Sequence, residues 1–370
     1  MTAPLVIIGS GLAGYSVARE WRKLDTTTPL VIITQDSGDF YSKPLLSTAV
    51  TQEKTADALA MSTATDMAKT LHAEIITHTA VEKIDLKNKA VHVAEKAIAY
   101  SHLVLATGST PFHLKALEKA KAFSVNSLDH YRAFRAHLKP EHHVAIVGAG
   151  LVGTELAHDL SAKGYRVSAV AMENTPLRHF IPEALGKKLQ EKLESLGVQY
   201  FLNTAVTQVE QHDNQQTLIL ENGKTIQCDV ILSAVGIHAE THLAKAAGLA
   251  VSNGIHVNAC LQTSDPFVYA VGDCVSQNNE IRHYIAPILH QSRALAKTLT
   301  GESTQVAYPV MPVVVKTPSL PISFVLPKVF DREETDNDKI LYFYEDKLVG
   351  FVVVGEANKE RQALVAKLSA

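Results

Sequence analysis

The sequence predicts an α/β protein: two parallel-sheet units in series, closed by a small α+β unit. Three observations carry the prediction. The glycine loop Gly9-Ser10-Gly11-Leu12-Ala13-Gly14 follows the apolar run Leu5–Ile8 and opens into a segment with helical periodicity. The same arrangement recurs at Gly148-Ala149-Gly150-Leu151-Val152-Gly153, after Val144–Val147. Beyond about residue 312 the composition shifts to short strand-like runs. A glycine turn between strand and helix lets the backbone approach a ligand closely, and the helix N-terminus offers N–H groups to a pyrophosphate. One such loop is a weak signal; two in one chain imply two Rossmann-like dinucleotide-binding domains.

The elements follow in order. Leu5–Ile8 reads as a strand, Ala13–Leu24 as a helix and Leu30–Thr34 as a second strand. The near-continuous apolar character of that strand suits a parallel sheet covered on both faces. Leu103–Ser109 is a strand running into a glycine turn, and Val230–Gly236 repeats the pattern. The second unit starts with the strand at Val144, a helix from Val152 to about Lys163 stopped by Gly164, and the strand Val167–Val170. Phe267–Gly272 is a third glycine-ended strand, followed by Asp273. Val313–Lys316, Ile322–Leu326, Ile340–Tyr344 and Leu348–Val354 read as antiparallel strands, and Lys359–Ser369 as a closing helix.

Size and composition bound the function. A chain of 370 residues has room for two or three domains with real cores. Its 46% hydrophobic and 20% charged content is that of an ordinary globular protein, and a net charge of -3 argues against a nucleic-acid binder. Apolar stretches such as Phe351–Val354 fall far short of the roughly twenty residues that span a bilayer. With no signal-peptide pattern at the start, a cytoplasmic protein without membrane insertion is expected. Cys228, Cys260 and Cys274 lie far apart with no CxxC spacing, which suits a reducing compartment. Among the histidines no HExxH occurs, and adjacent His142 and His143 cannot easily face one ion, so no metal site is expected.

Two acids bear on the dinucleotides. Asp36 lies 22 residues after Gly14, just past the strand that ends at Thr34. A carboxylate there can accept hydrogen bonds from an adenosine ribose, or serve as a solvated turn acid. In the second unit the corresponding position, 18 residues after Gly153, is Ala171, and Glu173 lies two residues on. No arginine occurs between Ala171 and Thr175 to meet a 2′-phosphate, which favours NADH over NADPH.

The pattern resembles the flavoprotein disulfide reductase superfamily, glutathione-reductase-like chains with FAD, NAD and C-terminal domains. Ala106-Thr107-Gly108 matches the segment that returns to the FAD domain, and Tyr269-Ala270-Val271-Gly272-Asp273 matches the second FAD motif. The resemblance implies a discontinuous FAD-binding domain over residues 1–112 and 240–312, an NAD-binding domain over 113–239 and a C-terminal domain over 313–370. Disulfide reductases of this fold need a cysteine pair, and the oxidases and peroxidases a single cysteine soon after the second strand. Asp39–Val50 holds Ser42 and Ser47 but no cysteine. Electrons must therefore leave the flavin directly for an external carrier.

Within that superfamily the chain is similar to the rubredoxin reductases, including the bacterial flavorubredoxin reductases. The marks are Tyr41-Ser42-Lys43-Pro44-Leu45-Leu46-Ser47, the run Gly150–Ala157, and Lys316-Thr317-Pro318-Ser319-Leu320-Pro321. In neighbouring ferredoxin reductases of oxygenases, a lysine follows the Leu-Ser of the first mark and pairs with the glutamate corresponding to Glu155; here that position is Thr48. The resemblance implies FAD contacts from Gly9, Ser10, Gly11, Leu12, Ala13, Gly14, Thr34, Asp36, Lys43, Val81, Thr107, Gly108, Gly272, Asp273, Ile285 and Lys316. Val81 is read as lying in a strand before Glu82, and Val81 and Ile285 would contribute backbone groups. Gly148, Gly150, Gly153, Glu155, Glu173 and Gly236 are the corresponding expectation for NADH. Glu155 and Lys316 are the expected catalytic pair, Glu155 at the flavin–nicotinamide junction and Lys316 as a cation toward the isoalloxazine. The implied reaction passes electrons from NADH through FAD to rubredoxin, as in alkane hydroxylation or oxygen and nitric oxide reduction. A ferredoxin reductase of an oxygenase system and an NADH-sensing flavoprotein are the alternatives.

Overall fold

The computed structural model of the chain describes residues 3–212 and 215–368. These residues form two compact units. One comprises the chain to Lys43, Ala60–Thr110 and Ile237–Tyr308; the other comprises Pro44–Leu59, Pro111–Gly236 and the chain from Pro309.

The first unit is built on a five-stranded sheet, in the order Val268–Ala270, His102–Leu105, Leu5–Ile8, Leu30–Ile33, Glu74–Ile76. Every neighbouring pair is parallel. All four residues of Leu5–Ile8 and of Leu30–Ile33 are buried, which is why neither run alternates with polar residues. Side chains alternate across the sheet and so feed two cores. Leu5, Ile7 and Ile32 pack with Tyr15, Val17 and Trp21 of the helix Leu12–Arg22 and with Ile288 and Leu295 of the helix Ile285–Leu299. Val6, Ile8 and Ile33 pack on the other face with Val91, Tyr100, Leu249 and Val275.

The second unit repeats the plan with the order Ala122–Phe123, Val230–Ser233, His143–Val147, Arg166–Val170, Val198–Phe201, again all parallel. The helix Leu151–Ala162 follows the second glycine loop and is buried along most of its length. The same unit carries an antiparallel five-stranded sheet in the order Val313–Val315, Ile322–Val325, Lys347–Val354, Lys339–Tyr344, Arg332–Asp336. Phe324 of this sheet stacks on Phe180, with ring centroids 5.7 Å apart.

Several expectations change in detail. Val81 lies in the connection between the strands Glu74–Ile76 and Lys83–Asp85, not in a strand. His78, with φ +49°, turns the chain there, and Val81 packs against the first unit's core. The closing helix is a 3₁₀ turn Gly355–Glu360 followed by an α-helix Arg361–Leu368, and Ser369 lies outside the described residues. The edge strand Arg332–Asp336 was not expected; all five of its residues are exposed, so no apolar alternation announces it. Segment 44–59 groups with the second unit, although residues 1–112 read as one stretch of the FAD-binding domain.

Candidate functional site

Three clusters assemble the expected residues. The first is the loop Gly9–Gly14. Gly9 has φ +108°, and a Cβ on it would lie 2.3 Å from the Ala106 carbonyl oxygen. A Cβ on Gly14 would lie 2.0 Å from the Gly9 carbonyl oxygen. These two glycines therefore let loop, helix and neighbouring strand close on one another. Gly11 and Gly108 behave differently: a Cβ on either would meet no atom within 4 Å among the described residues. Gly11 caps the N-terminus of Leu12–Arg22, whose first N–H groups lack intrahelical partners and suit a pyrophosphate.

Asp36 braces this loop. Its Oδ1 accepts from Ser10 Oγ at 3.0 Å, Thr34 Oγ1 at 2.7 Å and the Gly38 N–H at 3.0 Å. Ser10 Oγ also lies 3.0 Å from Thr34 Oγ1. Ser10, Thr34 and Asp36 thus form one polar knot at the ends of adjacent parallel strands, a link that spacing alone does not reveal.

Gly272 and Asp273 join the same unit from the far end of its sequence. Gly272 has φ +85°, and a Cβ on it would lie 2.7 Å from the Ala13 Cβ, so the second motif packs against the first helix. Gly272 N–H donates to Gln291 Oε1 at 2.9 Å. Asp273 Oδ2 accepts from Ser109 Oγ at 3.0 Å and lies 3.5 Å from Lys43 Nζ. Thr107 Oγ1 donates to the Glu240 carbonyl at 2.8 Å, and Glu240 N–H donates to the Gly108 carbonyl at 2.9 Å, which fixes the turn. Ile285 is the first residue of its helix, where backbone N–H groups have no intrahelical partner and can face a ligand.

The second cluster is the loop Gly148–Gly153. A Cβ on Gly148, φ +107°, would lie 2.5 Å from the Ala234 carbonyl oxygen, and one on Gly153 would lie 2.0 Å from the Gly148 carbonyl oxygen. Gly150 again has no atom within 4 Å of a built Cβ among the described residues. Gly236, with φ +104°, lies against the Phe112 ring and accepts from the Phe112 N–H at 3.0 Å. The strand-end position Ala171 accepts from Thr204 N–H at 3.1 Å, and Glu173 Oε1 lies 2.9 Å from His179 Nε2. The two glycine loops therefore have the same construction, and the two strand ends differ.

The third cluster lies wholly in the second unit and centres on Glu155, in the second turn of the helix Leu151–Ala162 and 4% exposed. Glu155 Oε1 accepts from the Lys316 backbone N–H at 2.9 Å, and Oε2 from Lys316 Nζ at 2.5 Å and Ser47 Oγ at 2.6 Å. A carboxylate this buried needs such donors, because an unpaired charge away from water is costly. The cation beside Glu155 comes from Lys316, 161 residues away in sequence, and the Leu-Ser segment contributes the Ser47 hydroxyl. Lys316 remains partly exposed, so the pair links a dry carboxylate to the surface.

Cysteine chemistry is absent from these clusters. Cys228 and Cys274 are free but buried, and burial pushes both thiols up, Cys228 to about 12. Neither is available as a thiolate near neutrality.

Comparison with known proteins agrees with this construction. Residues 3–298 match the pyridine nucleotide-disulphide oxidoreductase family model, and residues 305–368 match a rubredoxin binding C-terminal domain. A rubredoxin-NAD(+) reductase from Alcanivorax borkumensis is 39% identical over 99% of this chain and 99% of that protein. A nitric oxide reductase FlRd-NAD(+) reductase from Pectobacterium atrosepticum is 36% identical over the full length of both. The reductase of the covalent putidaredoxin reductase–putidaredoxin complex superposes with a TM-score of 0.89 at 24% identity, covering 99% of this chain and 94% of that one, which is a likeness of fold. No helix among the described residues is long and apolar enough to cross a membrane. The chain belongs to the pyridine nucleotide-disulphide oxidoreductase family, with a rubredoxin-binding type of C-terminal domain.

Proposed function

We propose that the protein is an FAD-dependent NADH:rubredoxin oxidoreductase that works in the cytoplasm. The observation that carries the choice of acceptor is the match of residues 305–368 to a rubredoxin binding domain, in a chain with two glycine loops of like construction and no cysteine pair at CxxC spacing. The full-length relative named rubredoxin-NAD(+) reductase supports it.

Residues 1–112, apart from segment 44–59, and 240–312 form the FAD-binding part, 113–239 the NADH-binding part and 313–370 the part that meets the acceptor. Gly9–Gly14 would hold FAD, with the N–H groups at the start of Leu12–Arg22 suited to its pyrophosphate. Asp36, braced by Ser10 and Thr34, takes the adenosine ribose. Lys43, Asp273, Thr107, Gly108, Gly272 and the backbone of Val81 and Ile285 would hold the remainder, and Lys316 would supply a cation. NADH is held by Gly148, Gly150, Gly153 and Gly236. Glu173 would meet its adenosine ribose, and its carboxylate would disfavour the extra phosphate of NADPH. When bound, FAD takes two electrons together and releases them one at a time.

The chain's own residues position the reactants. Glu155 is fixed by three donors, so it presents its carboxylate with little freedom, and Lys316 offers positive charge at the same point. A preorganised charge pair acts on changes of charge without reorganising, which is the usual way a protein assists such transfers. The test is anaerobic stopped-flow mixing of NADH-reduced protein with rubredoxin and, separately, with a [2Fe–2S] ferredoxin. Faster reduction of the ferredoxin would replace this reading with that of an oxygenase ferredoxin reductase.

A further inference from the structure

The face of the helix that carries Glu155 holds two more buried polar side chains that no step above uses. His158 and Asp159 follow Glu155 at three and four residues, so all three lie on one side of the helix. They are 6% and 3% exposed. Asp159 Oδ2 accepts from the Val50 N–H at 2.8 Å, while Oδ1 accepts from the Thr51 N–H at 3.2 Å and from Thr51 Oγ1. His158 Nε2 accepts from the Ser319 N–H at 3.3 Å and lies 2.8 Å from Ser319 Oγ. Thus the turn after Ser47 hangs on Asp159, and the segment after Lys316 hangs on His158. Ser47 and Lys316 are the two side chains that hold Glu155.

From this geometry we propose that Asp159 is a positioning residue: it locks the 47–51 turn so that Ser47 grips Glu155 in one arrangement. The proposal rests on the reading of Glu155 given above.

Three features argue for it. Burial raises the Asp159 carboxyl above the usual carboxylate range despite three donors and nearby His158, so the group is kept at an energetic cost. The donors it meets are backbone N–H groups of successive residues plus one hydroxyl, which define the path of the turn rather than merely satisfy a side chain. An amide cannot substitute, because both carboxylate oxygens accept and an asparagine would set its NH₂ against one of these donors. His158 anchors the opposite segment in the same way. Its ring nitrogen must be unprotonated to accept from Ser319, and burial lowers its pKa accordingly.

The experiment compares D159N, T51V, E155Q and the double variant D159N/E155Q as FAD-loaded proteins. Each is read by the first-order rate of flavin reduction at saturating NADH, by the KM for NADH, and by the flavin midpoint potential. The melting temperature is followed separately. D159N is expected to slow flavin reduction roughly tenfold, since misplacement of about an ångström far from the reacting atoms has effects of this size or larger. KM for NADH should change less than about twofold, and T51V, which removes one donor and folds with a side chain of similar shape, should show the same split more weakly. The midpoint potential should move in the same direction in D159N and E155Q. In the E155Q background, adding D159N should slow the rate by less than about twofold, because a residue that acts through Glu155 has nothing left to position.

A D159N effect of equal size in both backgrounds overturns the proposal while leaving the role of Glu155 intact. Loss of melting temperature alone, with rate and potential unchanged, also overturns it. If E155Q itself leaves rate and potential unchanged, the reading of Glu155 fails and the proposal with it.

Discussion

A single methyl group separates the two jobs done by the first glycine loop. At Gly14 an added Cβ would lie 2.0 Å from the Gly9 carbonyl oxygen, more than 1 Å inside ordinary contact, and the obstacle is backbone rather than a movable side chain. Overpacking of this kind costs about 3 kcal/mol, at the upper end of the usual range. Alanine recovers about 1 kcal/mol through its better helix propensity. The net cost for G14A is therefore about 2 kcal/mol, equivalent to a fall in melting temperature of roughly 4–8 °C for a unit of this size. At Gly11, by contrast, a Cβ meets nothing within 4 Å, and the backbone φ of -64° is ordinary for any residue. G11A should melt within about 2 °C of the parent, reflecting only a weaker N-cap. It should nevertheless lose FAD, because the methyl group occupies the space assigned to the pyrophosphate. The assay is thermal melting of FAD-stripped protein by circular dichroism, with FAD content measured by visible absorbance after reconstitution. A G11A protein with full FAD affinity would refute that assignment, and a G14A protein that melts like the parent would refute the packing argument.

Removing the Lys316 side chain leaves a carboxylate that is 6% exposed with two hydrogen-bond donors but no counter-charge. Because the lysine side chain is itself 32% exposed, K316M should cost about 2 kcal/mol, between the values for surface and fully buried pairs. The double variant E155Q/K316M should regain part of that stability in denaturant melts. Burial holds His143 and His158 below the ordinary imidazole value. The unfolded chain then binds protons that the folded chain refuses, so this stability is complete above about pH 6.5 and is lost as pH falls through the depressed folded values. H158Q should flatten the decline in melting temperature measured between about pH 7 and 5. On the proposed role of Glu173, catalytic efficiency with NADPH should be at least tenfold lower than with NADH, as expected for a phosphate facing a like charge. E173Q should narrow that gap.

The parts legible in the sequence were those governed by local rules. Glycines at fixed spacing after an apolar run report a close backbone approach, and the Gly9–Gly14 and Gly148–Gly153 loops have that geometry. Asp36 was legible as an acid at a strand end, whereas its bonds to Ser10 and Thr34 depend on two parallel strands lying side by side. The grip of Ser47 and Lys316 on Glu155 joins positions 108 and 161 residues apart, and no periodicity encodes such a contact. The same holds for segment 44–59, whose neighbours Asp159 and Glu155 draw it to the second unit. Arg332–Asp336 was hidden for a different reason: an edge strand exposed at every residue has no buried face to leave a pattern.

The central claim is that electrons from NADH leave this chain singly for a one-iron Cys₄ protein. The most direct measurement is an anaerobic titration of FAD-loaded protein and excess oxidised rubredoxin with NADH, following the loss of rubredoxin absorbance. The account predicts two rubredoxins reduced per NADH, with rates that depend on both proteins. Rubredoxin that stays oxidised while the flavin is fully reduced would contradict it.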